Sequence, residues 1–243
     1  MEKVALIPGG ARGIGRAIAQ ALASRGWNIA LCYRKSHNDA QVAVAAVEAT
    51  GSAALALACD VSTPEGCAEL YDQVLAWRGR IDALIHCAGP FHRIDLLSET
   101  PDGWRRMFAN NLDSLFYLAR LVAPGMIERR WGRILGFAMA NADRLMAQTQ
   151  ITAHYLSKVA LLGLVRSLAK ALAPSGITAN AISPGFIDSG SVEMAELKQM
   201  AKNIPAGEIG TLDDVVAAAL YLLSEEASYV NGANLQVSGG WGI

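Results

Sequence analysis

Val4-Ala5-Leu6-Ile7-Pro8-Gly9-Gly10-Ala11-Arg12-Gly13-Ile14-Gly15-Arg16 decides how the rest of the chain is read. The apolar run Val4–Ile7 suits a strand covered on both faces, and Ile14, Ala17, Ile18, Ala21 and Leu22 follow at helical spacing. Between strand and helix lie glycines spaced G-x-x-x-G-x-G. A turn without Cβ atoms lets the backbone close on a pyrophosphate, and the free N–H groups and dipole of the helix opening there favour its negative charge. The expectation is a dinucleotide site with Gly9, Arg12, Gly13, Ile14 and Gly15 around the diphosphate.

Outward from this stretch the same rhythm repeats. Ile29–Cys32 precedes a helical pattern through Val42, Val44, Ala45 and Val47; Ala54–Ala58 precedes a helix near Pro64 to Trp77; Ile81–Cys87 reads as another strand. Longer helices are predicted from about Pro101 to Arg129 and Thr152 to Leu172, followed by strands at Arg133–Phe137 and Ile177–Ile182. A last helix near Leu212 to Leu223 precedes a strand near Asn234 to Val237. The alternation predicts an α/β fold: a doubly wound parallel sheet of seven strands with helices on both faces, in a single domain over residues 1–243. Gly185 to Gly210 is a long connection of the kind that serves function.

With 243 residues, 52% hydrophobic and 18% charged, disorder is excluded, and a net charge of -1 gives no global pull toward nucleic acid or an anionic membrane. Met1 to Gly10 lacks the pattern of a secretory signal and no apolar run is long enough to span a membrane, so a soluble, cytoplasmic protein is expected. Cys32, Cys59, Cys67 and Cys87 have neither C-x-x-C spacing nor clustered His partners, so they read as buried reduced thiols and no metal is implied.

The choice of dinucleotide shows at the end of the second strand, where an acid marks NAD and a cation marks the 2′-phosphate of NADP. Tyr33-Arg34-Lys35 supplies cations and no acid, and Arg12 offers a second side to a phosphate pocket. NADPH is therefore preferred over NAD, with Asp60 and Val61 placed at the adenine edge.

At this point the chain resembles the short-chain dehydrogenase/reductases, and among them the 3-oxoacyl-(acyl carrier protein) reductases. The resemblance rests on Gly9–Gly15, on Cys87-Ala88-Gly89 where the family has N-A-G, and on Asn111-Leu112. It rests further on Gly132–Leu135, Ser157-Lys158, Asn180–Gly185, and Asn231-Gly232 with Gly239-Gly240. It implies reduction of a carbonyl by hydride from nicotinamide, with a Tyr as proton donor, a Lys four residues later, a Ser polarising the carbonyl and an Asn holding a relay water. Cys87, Ala88, Gly89, Asn111, Lys158, Pro184, Gly185, Ile187 and Ser189 would then contact the cofactor, Ser189 standing where the family often has Thr. The resemblance also implies a substrate lid near 187–208 and a homotetramer or homodimer.

Asn111 and Lys158 match the catalytic pattern, whereas the Tyr position is His154 and the nearest tyrosine is Tyr155. One residue moves a side chain about 100° around a helix and about 1.5 Å along it, large against the tolerance of proton transfer. Three readings stay open: His154 donates, Tyr155 donates through a shifted geometry, or neither does. The family's Ser is missing too, since Met139 stands near its place and from Gly136 to Ala147 only Asn141 offers a neutral side-chain donor. Phe91, His92, Met139, Asn141, Arg144 and Phe186 lie on loops expected to converge over the nicotinamide as substrate contacts. Two alternatives stand beside carbonyl reduction: an NADP(H)-binding protein with little or no turnover, acting as sensor or partner subunit, and a reductase of an imine or conjugated double bond.

Overall fold

The computed structural model describes residues 2–189 and 199–242. Seven parallel strands form one sheet in the order β3-β2-β1-β4-β5-β6-β7. They are β1 (Val4–Pro8), β2 (Asn28–Tyr33), β3 (Ala54–Ala58), β4 (Ala83–His86), β5 (Gly132–Phe137), β6 (Ile177–Pro184) and β7 (Asn234–Val237). The helices are α1 (Gly13–Ala23), α2 (His37–Glu48), α3 (Pro64–Arg78), α4 (Pro101–Phe108), α5 (Ser114–Arg129), α6 (Thr152–Leu172) and α7 (Leu212–Leu223).

Every residue of β1 is buried, and successive side chains go to opposite faces. Ala5 and Ile7 join Ile18 and Leu22 of α1 and Val215 and Leu222 of α7, while Val4 and Leu6 join Leu70 and Val74 of α3, Leu118 of α5 and Leu161 of α6. The two cores explain why the central strands carry no polar alternation. Threonine caps fix three helix starts: Thr63 accepts from Gly66 N, Thr100 from Gly103 N, and Thr211 forms a reciprocal capping box with Asp214.

The single helix predicted from Pro101 to Arg129 is a correction. Ala109–Asp113 forms a π-helical turn that separates α4 from α5. Asn110, Asn111 and Ser114 are buried there, and Asn111 Nδ2 and Ser114 Oγ donate back to the carbonyls of Met107 and Asn110. Such single-turn widenings recur at functional sites. At the opposite end of the sheet, Trp27 and Trp131 lie with ring centroids 6.1 Å apart, and the Lys3 ammonium sits 3.8 Å from the Trp131 centroid. Among the described residues no helix is long and apolar enough to cross a membrane.

Candidate active site

The strand order reverses between β1 and β4, and there the carboxyl ends of the strands open into a cleft of about 710 Å³. Its floor is the turn from β1 into α1. Gly9 has φ +78, and a Cβ on it would stand 2.7 Å from Ala88 N; one on Gly15 would stand 2.5 Å from Gly9 O. Gly13, Ile14 and Gly15 line the cleft, and the N-cap residue of α1, Arg12, makes no side-chain capping bond. The first turn of α1 carries no acid either, so its N–H groups are free for an anion. This cradle fits a diphosphate.

At one end of the cleft Arg12, Arg34 and Lys35 line the wall with Tyr33, whose hydroxyl lies 2.8 Å from His37 Nδ1. Asp60 and Val61 line it too. Asp60 accepts from Ser62 Oγ at 2.7 Å and Ser62 N at 3.0 Å, and stands 3.9 Å from Arg34. The Ser62 hydroxyl, then the Ser62 N–H and Arg34, hold its carboxyl below the usual carboxylate range. Cys32, Cys59 and Cys87 also face the cleft; burial pushes their thiols up to about 12, about 11 and about 12, which leaves them protonated and unreactive.

The other end is built from Cys87, Ala88, Gly89 and Pro90 after β4, Phe137 and Ala138 at the end of β5, and Lys158 and His154 on α6. Lys158 is 7% exposed; its Nζ donates to Phe137 O at 2.6 Å, and burial draws it down to about 8. Asn111 is fully buried and outside the cleft lining; its Nδ2 donates to Met107 O at 2.9 Å and Pro90 O at 3.2 Å, while Oδ1 has no partner and packs against Gly89. Behind this wall His86 Nε2 lies 2.6 Å from Ser114 Oγ. Since that hydroxyl donates to Asn110 O, His86 carries its proton on Nε2 and ties β4 to the π turn.

The two candidate proton donors have different fates. Tyr155 is 1% exposed and absent from the cleft wall; its hydroxyl donates to Asn141 O at 3.1 Å and accepts from Met146 N at 2.8 Å. The one-residue offset turns it toward the 141–146 segment, which it fastens to α6. His154 does reach the cleft, but its Nδ1 lies 3.2 Å from Pro90 O, an acceptor, so Nδ1 carries the proton. Burial first, then Lys158, lowers His154 to about 4, leaving a neutral ring at neutral pH. It therefore holds no second proton to give to a substrate.

The remaining predicted contacts divide. Ser189 and Pro184 line the cleft. Between them Gly185 lies against Ser238 and Ile187 bridges to Gly210. Phe91 is 63% exposed and meets the His154 ring edge-on at 5.1 Å. Met139 packs against the core beneath α5 and α6; Asn141, at φ +73, faces Gly242; and Phe186 lies against Trp241 with centroids 4.5 Å apart. These three have packing partners, and none of them lines the cleft among the described residues. His92 pairs with Glu99 at 2.6 Å, and the 190–198 part of the expected lid lies outside the described residues. Sequence reasoning missed Pro90, whose carbonyl receives both His154 and Asn111; proline has no side-chain polar group to signal that role.

Residues 9–242 match the family model described as Enoyl-(Acyl carrier protein) reductase. The chain is 32% identical over 249 residues to a 3-oxoacyl-[acyl-carrier-protein] reductase of Staphylococcus epidermidis, covering 99% of each. It is 34% identical over 250 residues to an acetoacetyl-CoA reductase of Shinella zoogloeoides, covering 99% of this chain and 98% of that one. Among solved structures, an acetoin dehydrogenase from Salmonella typhimurium superposes with a TM-score of 0.91 at 29% identity, over 99% of this chain and 96% of the other. The glycine cradle, the strand order and these full-length likenesses together place the chain in the short-chain dehydrogenase/reductase family, as an oxidoreductase similar to the 3-oxoacyl-(acyl-carrier-protein) reductases.

Proposed function

We propose that this protein is an NADPH-dependent reductase of a small or acyl-type carbonyl in which Lys158, not a tyrosine, is the acid. One observation carries the reading: a single cleft joins a cation-lined end, with Arg12, Arg34 and Lys35, to an inner end where Lys158 is the buried cation. Arginines suit the bidentate grip a 2′-phosphate invites, and Asp60, the acid nearby, already receives both the N–H and the hydroxyl of Ser62. When bound, the cofactor supplies the hydride to the carbonyl carbon. The carbonyl π pair moves to oxygen, Lys158 Nζ gives that oxygen a proton, and the amine regains one from water. An acid drawn down to about 8 is matched to work near neutrality. Ser189, in the cleft wall, would hold the carboxamide, and Asn111 would brace the wall through Pro90.

The relatives named as reductases of acyl thioesters support the acyl class of substrate. Exposed Phe116 and Ile127 on α5 and Leu156 on α6 support helix pairing between subunits into a homotetramer or homodimer. The reading of a cofactor-binding protein without turnover draws on the sealed Tyr155 hydroxyl and on Met139 near the serine position. NADPH consumption measured against β-ketoacyl thioesters and small ketones tests the choice. Turnover that Lys158→Met abolishes is expected, along with a shift from NADPH toward NADH in Arg34→Asp. Tight NADPH binding with no oxidation by any of these compounds would overturn reduction.

A further inference from the structure

At the inner end of the cleft the polarity is reversed from what a plain carbonyl needs. A ketone oxygen only accepts hydrogen bonds, so a site shaped for it alone presents donors. Lys158 is such a donor. His154, one helical turn earlier on α6, is not. It is 9% exposed, it lines the cleft, and among the described residues its hydrogen bond runs from Nδ1 to Pro90 O. A carbonyl partner fixes the tautomer, so Nε2 is a bare lone pair with no hydrogen-bond partner among the described residues. Phe91, set edge-on against the ring at 5.1 Å, helps hold it in that orientation. An acceptor left open in the cleft is a ready partner for a ligand's donor.

We propose that His154 is a specificity-determining acceptor, and that the preferred substrate is a carbonyl compound bearing a hydroxyl or N–H on the carbon next to the carbonyl. Residues at i and i+4 stand about 5–6 Å apart between Cβ atoms, so Lys158 Nζ and His154 Nε2 address two groups on one small molecule. The carbonyl oxygen takes the Lys158 proton, while the neighbouring O–H or N–H donates to His154 Nε2. His154 transfers no proton in this arrangement; it selects and orients. A site built to hydrogen-bond a substrate group discriminates strongly against the analogue lacking it.

This inference rests on the carbonyl-reduction reading, and the two fail differently. The experiment compares hydroxyacetone with methoxyacetone, which keeps the electron-withdrawing oxygen but not the donor, by kcat/KM with NADPH. Wild type is expected to favour hydroxyacetone by roughly tenfold or more. His154→Phe compresses that ratio toward one, and His154→Gln, whose amide offers both an N–H for Pro90 O and an acceptor oxygen, restores part of it. Turnover of both ketones with a ratio near one in wild type, or a ratio that His154→Phe leaves intact, overturns the inference alone. NADPH binding with no turnover of either overturns the reduction beneath it. The wild-type comparison stands even if a His154 variant fails to fold.

Discussion

Replacing Lys158 by methionine tests the site through stability as well as activity. The lysine is 7% exposed, and burial draws its ammonium from an ordinary 10.5 to about 8. That difference corresponds to about 3 kcal/mol of strain in keeping the charged form inside the fold. Methionine has nearly the same length and no charge, so the variant sheds that strain. It also loses the 2.6 Å bond to Phe137 O, which offsets about 1–2 kcal/mol. The net expectation at pH 7 is a gain of about 1–2 kcal/mol and a rise in Tm of about 2–6 °C, with turnover abolished. The pH dependence gives the sharper test. The unfolded chain keeps the lysine proton up to about 10.5, whereas the folded chain releases it near 8. Wild-type stability therefore climbs between those values while that of the variant does not, and the gap closes. Over the same range the wild-type reduction rate falls as the acid loses its proton. Thermal denaturation of both proteins from pH 7 to pH 10 measures this; a variant less stable than wild type at pH 7, or a gap that does not narrow, refutes the reasoning.

Tyr155→Phe should cost about 1–3 kcal/mol by freeing the Met146 N–H and the Asn141 carbonyl, while the pH profile of kcat stays that of wild type; a profile that loses its basic limb would show that the phenol titrates in catalysis. Gly9→Ala forces a left-handed φ of +78 on a residue with a Cβ set 2.7 Å from Ala88 N, so calorimetry should show NADPH affinity reduced roughly tenfold or more. His86 and His154, lowered by burial to about 3 and about 4, stay neutral in the fold while the unfolded chain protonates them near 6.5. The stability they contribute is present above that value and lost as pH falls toward 4, so Tm should drop across this interval, and a flat Tm there removes the account.

The glycine turn, the strand sequence and the cationic end of the cleft were legible because each rests on local chemistry: backbone freedom, apolar runs and charge within a few residues. The π turn was not, since Leu112, Leu115 and Leu118 keep an apolar rhythm that hides one extra residue in the winding; the buried Asn110, Asn111 and Ser114 were its sign. The fates of His154 and Tyr155 depended on partners 64 and 14 residues away, the carbonyls of Pro90 and Asn141. A main-chain carbonyl leaves no mark in the residue type that carries it. Loop position alone points Met139, Asn141 and Phe186 toward the cleft; the neighbours of Asn141 and Phe186, Gly242 and Trp241, lie more than 50 residues away and leave no local mark.

Three of the five tryptophans give the molecule two separate optical reporters. Trp27 and Trp131 lie at the far end of the sheet under the Lys3 cation, so their emission follows the integrity of the whole fold. Trp241 rests on Phe186, two residues beyond Pro184 in the cleft wall, where a reduced nicotinamide ring can drain its excited state. Substituting Trp241 should therefore weaken the quenching produced by coenzyme and leave the Trp27–Trp131 unfolding signal in place, which separates occupancy from melting in a single fluorimeter trace.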